Sequence, residues 1–449
     1  MINQKKSKIF GKLYFPEEGS EISSVWLFLD AIHPYLEVPI ETHLEKSWYI
    51  IHGSFNGLDK VTFVDCDLGG GSLPGGSGGG HRKIHFSYMF ERHHFQTKSD
   101  IKFNKVSFSS TALNKWIGRE FALEFSKENI KIPPRKSILS TKTNFGSFSL
   151  FLGFDLCIGS INAEINRKTV VEFQFSDEIQ LDEIQAFLLK LRRLILFLTH
   201  ESPGIERYVF SSDTLKGIIQ PEYSPFNNLS GFSSGINLRY GSVKGNLETI
   251  VKNWIEKDEL IQIVELIQEK YMNTSLSFQN YFLNCCVSLE SYHQRIVKKG
   301  YSEEIKQKIK TREQQRKTIA TLIADTVILK QFNDGTNDWK KPTLKERLEH
   351  FKDLISQIKP EVIGLNYDQF IQKIVQTRNK IAHEGEYLKY MTEFELFLFG
   401  KILEFTMKIE LLKSIGFNNQ IELNHIIIAS NKSIERLARI NNYISSTKD

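Results

Sequence analysis

The stretch Ile374 to His383, written IVQTRNKIAH, places a guanidinium, a carboxamide and an imidazole within six positions at the end of an amphipathic helix. Arg378, Asn379 and His383 are sufficient in type to cleave RNA without a metal. In transesterification the ribose 2′-OH attacks the adjacent phosphorus, and the reaction needs a base, an acid and something to hold the charge of the phosphorane. An imidazole, with an unperturbed pKa near 6.5, serves as acid or base at neutral pH. A guanidinium stays protonated, and its fork binds two nonbridging oxygens as their charge grows. Asn379 would orient the phosphate or cap the helix end.

Ile371, Ile374, Val375, Arg378 and Ala382 recur at helical spacing, so Arg378 stands where a core-facing aliphatic is expected, and a charge there needs a partner. Glu290, on an earlier helix predicted over Ser277 to Val297, is the expected partner, with Cys286 and His293 near the same side. Its role would be to orient the guanidinium rather than to transfer protons. His383 follows Arg378 by five positions, about 140° around an ideal helix. The two share a face only if the helix loosens or ends near Ala382, and Gly385 is placed to stop it.

The elements that must position these groups fall into two parts. From Ile9 to about Phe175 the chain reads as short strands rich in aromatic and β-branched residues, arranged in a sandwich or curled sheet. Helices are predicted at Thr111 to Ile117 and at Leu181 to Leu198. Ser202 to Gly245 is irregular, with room for an RYVF and an INLRY strand. After Asn246 nearly everything is helical, five or six helices in a bundle, with Glu393 to Ile415 covering the apolar side of the Arg378 helix. IELNHIIIA, near the end, reads as a strand or a short helix. The expected fold class is therefore α+β: a β-rich sensing or regulatory domain over 1–200, a connecting region over 201–245 and a helical domain over 246–449.

Length suits two or three domains, and 41% hydrophobic with 25% charged residues is the composition of a soluble globular protein. The net charge of +5 is small for 449 residues, so any nucleic-acid footprint must be local. One candidate is Arg295 to Lys317, where nine Lys or Arg face three Glu, read either as a solvated hairpin or as a grip on RNA backbone. Cys66, Cys157, Cys285 and Cys286 form no metal-ligand array and fit a reduced, cytoplasmic compartment. No secretory signal is expected at the N-terminus, and the apolar runs Ala186 to Thr199 and Phe394 to Leu412 are broken by charges, so no membrane span is expected. Gly69 to Gly80 lacks the ending of a phosphate-binding loop and reads as a hairpin tip. His81, His85, His93 and His94 could in principle face a metal, but no carboxylate or thiol completes the set, so a polar hairpin surface is expected and no metal or cofactor is assigned. His52 and His200 read as ordinary histidines, and Trp26, Trp48, Tyr49 and Trp116 as core aromatics.

The pattern Arg-Asn-x-x-x-His near the end of an all-helical region resembles the HEPN superfamily, and FLNCCVSLESYHQRI, with Glu290 and His293 among apolar positions, is similar to the acidic-polar first helix of that family. The opening IFGKLYFPEEGSEISSVWLFLD, with VSFSSTALNKWIG and the helical second half, looks like ApeA-type HEPN proteins. That resemblance implies a metal-independent ribonuclease of bacterial abortive infection, restrained until a phage-derived trigger arrives. It also implies a homodimer or higher homo-oligomer in which two Arg and two His line one cleft. Transfer RNA is a candidate target, although no residue selects it over messenger or ribosomal RNA. Two other readings stand beside this one: a non-catalytic HEPN-like module that binds a phage component or nucleic acid, and a metal-dependent hydrolase using the histidine group.

Overall fold

The structure, a computed structural model, describes residues 8–16, 18–29, 34–39, 47–69, 80–118, 135–158, 163–212, 216–219, 238–273, 275–297, 301–336, 341–359, 361–384 and 391–446. The chain divides into two compact units, Met1–Ser230 with Arg239–Gly241, and Gly231–Leu238 with Ser242–Asp449.

In the first unit the expected sandwich or curled sheet resolves into a closed barrel and a separate sheet. The barrel runs β1-β2-β3-β6-β5-β4 and closes between β4 and β1. Its strands are β1 (Lys8–Phe15), β2 (Ser20–Phe28), β3 (Tyr35–Pro39), β4 (Ser47–Phe55), β5 (Leu58–Leu68) and β6 (His81–Glu91). Strict alternation along β1 sends Ile9, Leu13 and Phe15 inward, where they meet Val25, Leu36, Trp48, Phe63 and Ile84. Gly11 lets β1 approach β4 closely, because a Cβ there would collide with the Ser54 carbonyl and the Phe55 ring. The sheet has the order β12-β11-β7-β10-β9-β8. It is built from β7 (Lys102–Ser110), β8 (Lys136–Thr143), β9 (Gly146–Ile158), β10 (Ala163–Gln180), β11 (Ile205–Ser211) and β12 (Lys216–Ile219).

Helices α1 (Thr111–Ile117) and α2 (Leu181–Thr199) match the predicted pair, and Phe187 of α2 packs on Phe173 and Phe175 of β10 at ring distances of 4.3 and 5.2 Å. Lys98 ties barrel to sheet layer by bridging Asp65 and Asp182 at 3.0 and 2.9 Å. The stretch read as an irregular connector supplies β11, the RYVF strand, and β12. Of the expected INLRY strand, Ile236 and Asn237 lie outside the described residues, Leu238 and Arg239 are irregular, and Tyr240 opens a short helical turn, α3 (Tyr240–Val243). Strands β3, β8 and β12 lie outside the predicted set. Most of the Gly69 to Gly80 run lies outside the described residues.

The second unit is helical: α4 (Leu247–Glu256), α5 (Asp258–Met272), α6 (Phe278–Arg295), α7 (Glu303–Thr321), α8 (Thr326–Gly335), α9 (Leu344–His350), α10 (Lys352–Ile358), α11 (Tyr367–Glu384), α12 (Glu393–Ser414) and α13 (Gln420–Ser446). Helices expected to be continuous break where local capping offers a new start. Asp325 accepts from the N–H groups of Val327 and Ile328 and so opens α8. Lys257 leaves helical dihedrals just before the acidic Asp258 and Glu259 of α5. The tail is a long helix rather than a strand or a short helix. Helix α12 is buried on nearly all sides and meets α11 through Phe370 and Phe399, 4.6 Å between rings, and through the Lys373–Glu395 ion pair. Among the described residues, no helix is long and apolar enough to cross a membrane.

Candidate active site

Helix α11 carries Arg378, Asn379 and His383 on an unbroken run to Glu384. Its buried stripe is Ile371, Ile374, Thr377 and Ile381, while Val375 is half-buried and Ala382 exposed, so the expected stripe shifts by one position toward its end. The helix is assigned through Glu384, two residues past Ala382, and Gly385, the expected stop, lies outside the described residues. On a regular helix the Arg378 and His383 side chains leave the axis about 140° apart.

Arg378 is flanked by the residue expected to partner it. Its Nη2 lies 3.2 Å from Glu290 Oε1 and donates to Oε2 at 3.3 Å, while Nη1 donates to Asn379 Oδ1 at 3.3 Å. Helix α6 positions Glu290 because Tyr281, Phe282, Cys285, Leu289 and Tyr292 bury its other face. The pair keeps contact with water, at 27% and 20% side-chain exposure, so the guanidinium is oriented without being sealed in. Cys286 lies beside it, its thiol pushed up by burial and by Glu290, with Arg378 opposing. Asn379 and His383 are exposed. The imidazole at 383 is thus available to a ligand on the surface.

Sequence reasoning missed Arg347 of α9, which is buried and donates to the Glu290 carbonyl at 2.9 Å and to the Pro342 carbonyl at 3.0 Å. It pins the α6 backbone at the residue that holds Arg378. The signal that singled out Arg378 was present here too, since Arg347 interrupts the stripe Leu344, Leu348, Phe351.

His293 turns away from the Glu290 side on which it was expected. It is fully buried, stacked on Tyr301 at 5.1 Å and edge-on to His350 and Phe351, and neither ring nitrogen has a hydrogen-bond partner among the described residues. Burial, with repulsion from His350 and Arg347, pushes its pKa down to about 4. A depressed base takes up its proton first in the unfolded chain, so stability should fall as pH drops from about 6.5 to 4, by up to about 3 kcal/mol. We expect His293→Phe to flatten that acid limb in denaturant midpoints measured between pH 7 and 4. An unchanged slope would show that other groups cause it.

The histidines near the Gly-rich run are dispersed. His94 stacks on His52 at 4.3 Å and bonds the Gly53 carbonyl, His93 packs on Phe95, and His85 borders Tyr35. Among the described residues, no group of three or more His, Cys, Asp or Glu is placed to hold a metal ion. On α7, Lys306, Lys308, Arg312 and Lys317 are paired to Glu303, Glu304, Glu346 and Glu313, the arrangement of a solvated hairpin.

Two family models match the chain: ApeA N-terminal domain 1 over residues 1–254 and Apea-like HEPN over residues 283–421. The second match holds Glu290, Arg347, Arg378, Asn379 and His383. No curated protein and no solved structure matches the chain. With its first model spanning more than half of the sequence and its second spanning the bundle that holds the Arg378 helix, the chain belongs to the ApeA-like HEPN family of anti-phage proteins.

Proposed function

We propose that the protein is a metal-independent endoribonuclease of abortive infection, cutting RNA by 2′-OH transesterification at a site shared by two subunits. The observation that carries this is the α11 end: a guanidinium held by Glu290, with Asn379 beside it and an exposed imidazole five residues on. Because Arg378 and His383 diverge around their own helix, a complete site takes the arginine of one subunit with the histidine of another. One imidazole removes the 2′-OH proton, O2′ bonds to phosphorus, and the guanidinium forks bind the nonbridging oxygens of the phosphorane. The second imidazole protonates the departing 5′ oxygen, leaving a cyclic phosphate and a 5′-OH. The β-rich unit would restrain the enzyme until a phage component arrives, and transfer RNA is a candidate substrate.

The same divergence also favours a second reading, a non-catalytic module that binds phage protein or nucleic acid. Incubating purified protein with total RNA in excess chelator separates them. We expect cutting to persist, with fragments ending in cyclic phosphate. Tight binding without fragments would select the module, and loss of cutting in chelator would point instead to a metal-dependent hydrolase.

A further inference from the structure

The outer wall of the barrel presents groups that the ribonuclease reading does not use. Along β1, Lys8, Phe10, Lys12 and Tyr14 point outward and are exposed. Strand register extends this face across three further strands. Lys8 pairs with Phe28, Phe28 with Tyr35, and Tyr35 with His85; two residues along, Phe10 pairs with Trp26, Trp26 with Glu37, and Glu37 with Lys83. Residues opposite one another on a face are side-chain neighbours, and these touch. Phe10 meets Trp26 edge-on at 5.0 Å, and Phe28 stacks on Tyr35 at 4.6 Å and 14°. The Lys8 ammonium lies 4.3 Å from the Trp26 ring and 5.0 Å from Phe28, and that of Lys83 lies 4.4 Å from Tyr35. Trp26 and Tyr49, expected in the core, are thus corrected: Trp26 stands on this wall half-buried, and Tyr49 is exposed.

These rings are not needed to fill the barrel, whose interior is occupied by the inward set. Interleaving decides what they suit. The core of a protein-docking patch is depleted in lysine, whereas here lysines sit on the rings themselves. Rings for base stacking with cations for the backbone are the two components of a single-strand binding surface. Glu37 is the one carboxylate in the two rows, and Lys83 stands opposite it. We infer that the outer face of β1, β2, β3 and β6 binds the unpaired nucleotides of single-stranded nucleic acid. Bases stack on Trp26 and Tyr35, and Lys8 and Lys83 swing from the ring faces to phosphates.

The site does not depend on whether the helical unit cuts, so the test uses the full chain carrying His383→Ala, which leaves RNA intact. Fluorescence anisotropy with an oligouridine of about 12 nucleotides should show affinity falling at least tenfold in Trp26→Ala/Tyr35→Ala, with Trp26→Phe retaining binding. Lys8→Ala/Lys83→Ala should reduce the slope of log affinity against log salt by about 1.4. An RNA duplex should bind more weakly than the single strand. Equal binding of oligothymidine assigns the site to unpaired nucleotides in general, and preference for RNA assigns it to RNA; both support the inference. Affinity unchanged in Trp26→Ala/Tyr35→Ala, a duplex bound as tightly as the single strand, or no oligonucleotide binding at all overturns it, the last favouring a protein partner.

Discussion

His383→Ala should leave the protein folded and lower RNA cleavage by roughly 10²–10⁴-fold, the usual loss when a general acid or base is removed, abolishing both toxicity and phage protection. Folding is expected to survive because the imidazole is exposed. Arg378→Ala should cost cleavage roughly 10²–10³-fold through lost stabilisation of phosphorane charge. Its effect on stability should be small, about 1 kcal/mol or less, because the Glu290 pair is partly solvated. Arg378→Lys keeps the charge but loses the fork, so recovery of folding without recovery of rate would tie the function to bidentate geometry. The decisive measurement mixes the two inactive proteins. If the two subunits share one cleft, a dimer of Arg378→Ala with His383→Ala keeps one guanidinium and one imidazole in it, and cleavage should recover in part, above that of either variant alone. If each chain supplies both groups, every site in the mixture is broken and cleavage stays absent. Full activity in His383→Ala would remove the mechanism altogether.

The Arg378–Glu290 contact was legible because a half-buried charge bordering an apolar stripe demands a distant partner. Arg378 stood where an aliphatic was expected, and Glu290 was the carboxylate on the helix expected beside it; the two are in contact. Less was legible where the deciding contact is not periodic. The continuation of α11 to Glu384 depends on the final turn, not on the stripe. His293 shares a side with Glu290 by residue count, yet the pocket of Tyr301, His350 and Phe351 that takes its ring comes from segments far along the chain. In the first unit, alternation revealed strands but not closure, since whether a curled sheet meets itself depends on β4 pairing with β1 across some forty residues. The short β3 and β12 carry too few alternating positions to stand out from loops.

Lys401, Glu404 and Lys408 read as charges interrupting an apolar helix, and the structure buries all three, which leads to the largest stability effect expected. Glu404 accepts from the hydroxyls of Tyr271 and Tyr281 and from the Lys401 ammonium at 2.8 Å, and Lys401 also donates to the Tyr271 hydroxyl at 2.9 Å. The ammonium of Lys408 is pushed down to about 7 by burial, with Glu404 opposing and Lys401 reinforcing the shift. Removing the carboxylate takes the anion from beside a buried cation and an acceptor from each of two phenols. Glu404→Leu should therefore cost about 3–5 kcal/mol, a large share of the roughly 5–15 kcal/mol that stabilises a whole domain. Apolar replacement of the four hydrogen-bonded members, Lys401→Met with Glu404→Leu, Tyr271→Phe and Tyr281→Phe, removes the unpaired atoms along with the pairs and, with Lys408 retained, should recover part of the loss. Urea unfolding followed by helical circular dichroism checks both. A Glu404→Leu midpoint close to the wild type, or a fourfold variant no better than the single one, would show that the network is not the coupled unit its hydrogen bonds describe. Because this cluster sits between α5, α6 and α12, while the proposed cutting groups lie at the end of α11, cleavage per folded molecule should be unchanged in Glu404→Leu below its unfolding midpoint. Loss of rate without loss of fold would instead mean that α6 transmits the strain to Glu290 and through it to the guanidinium.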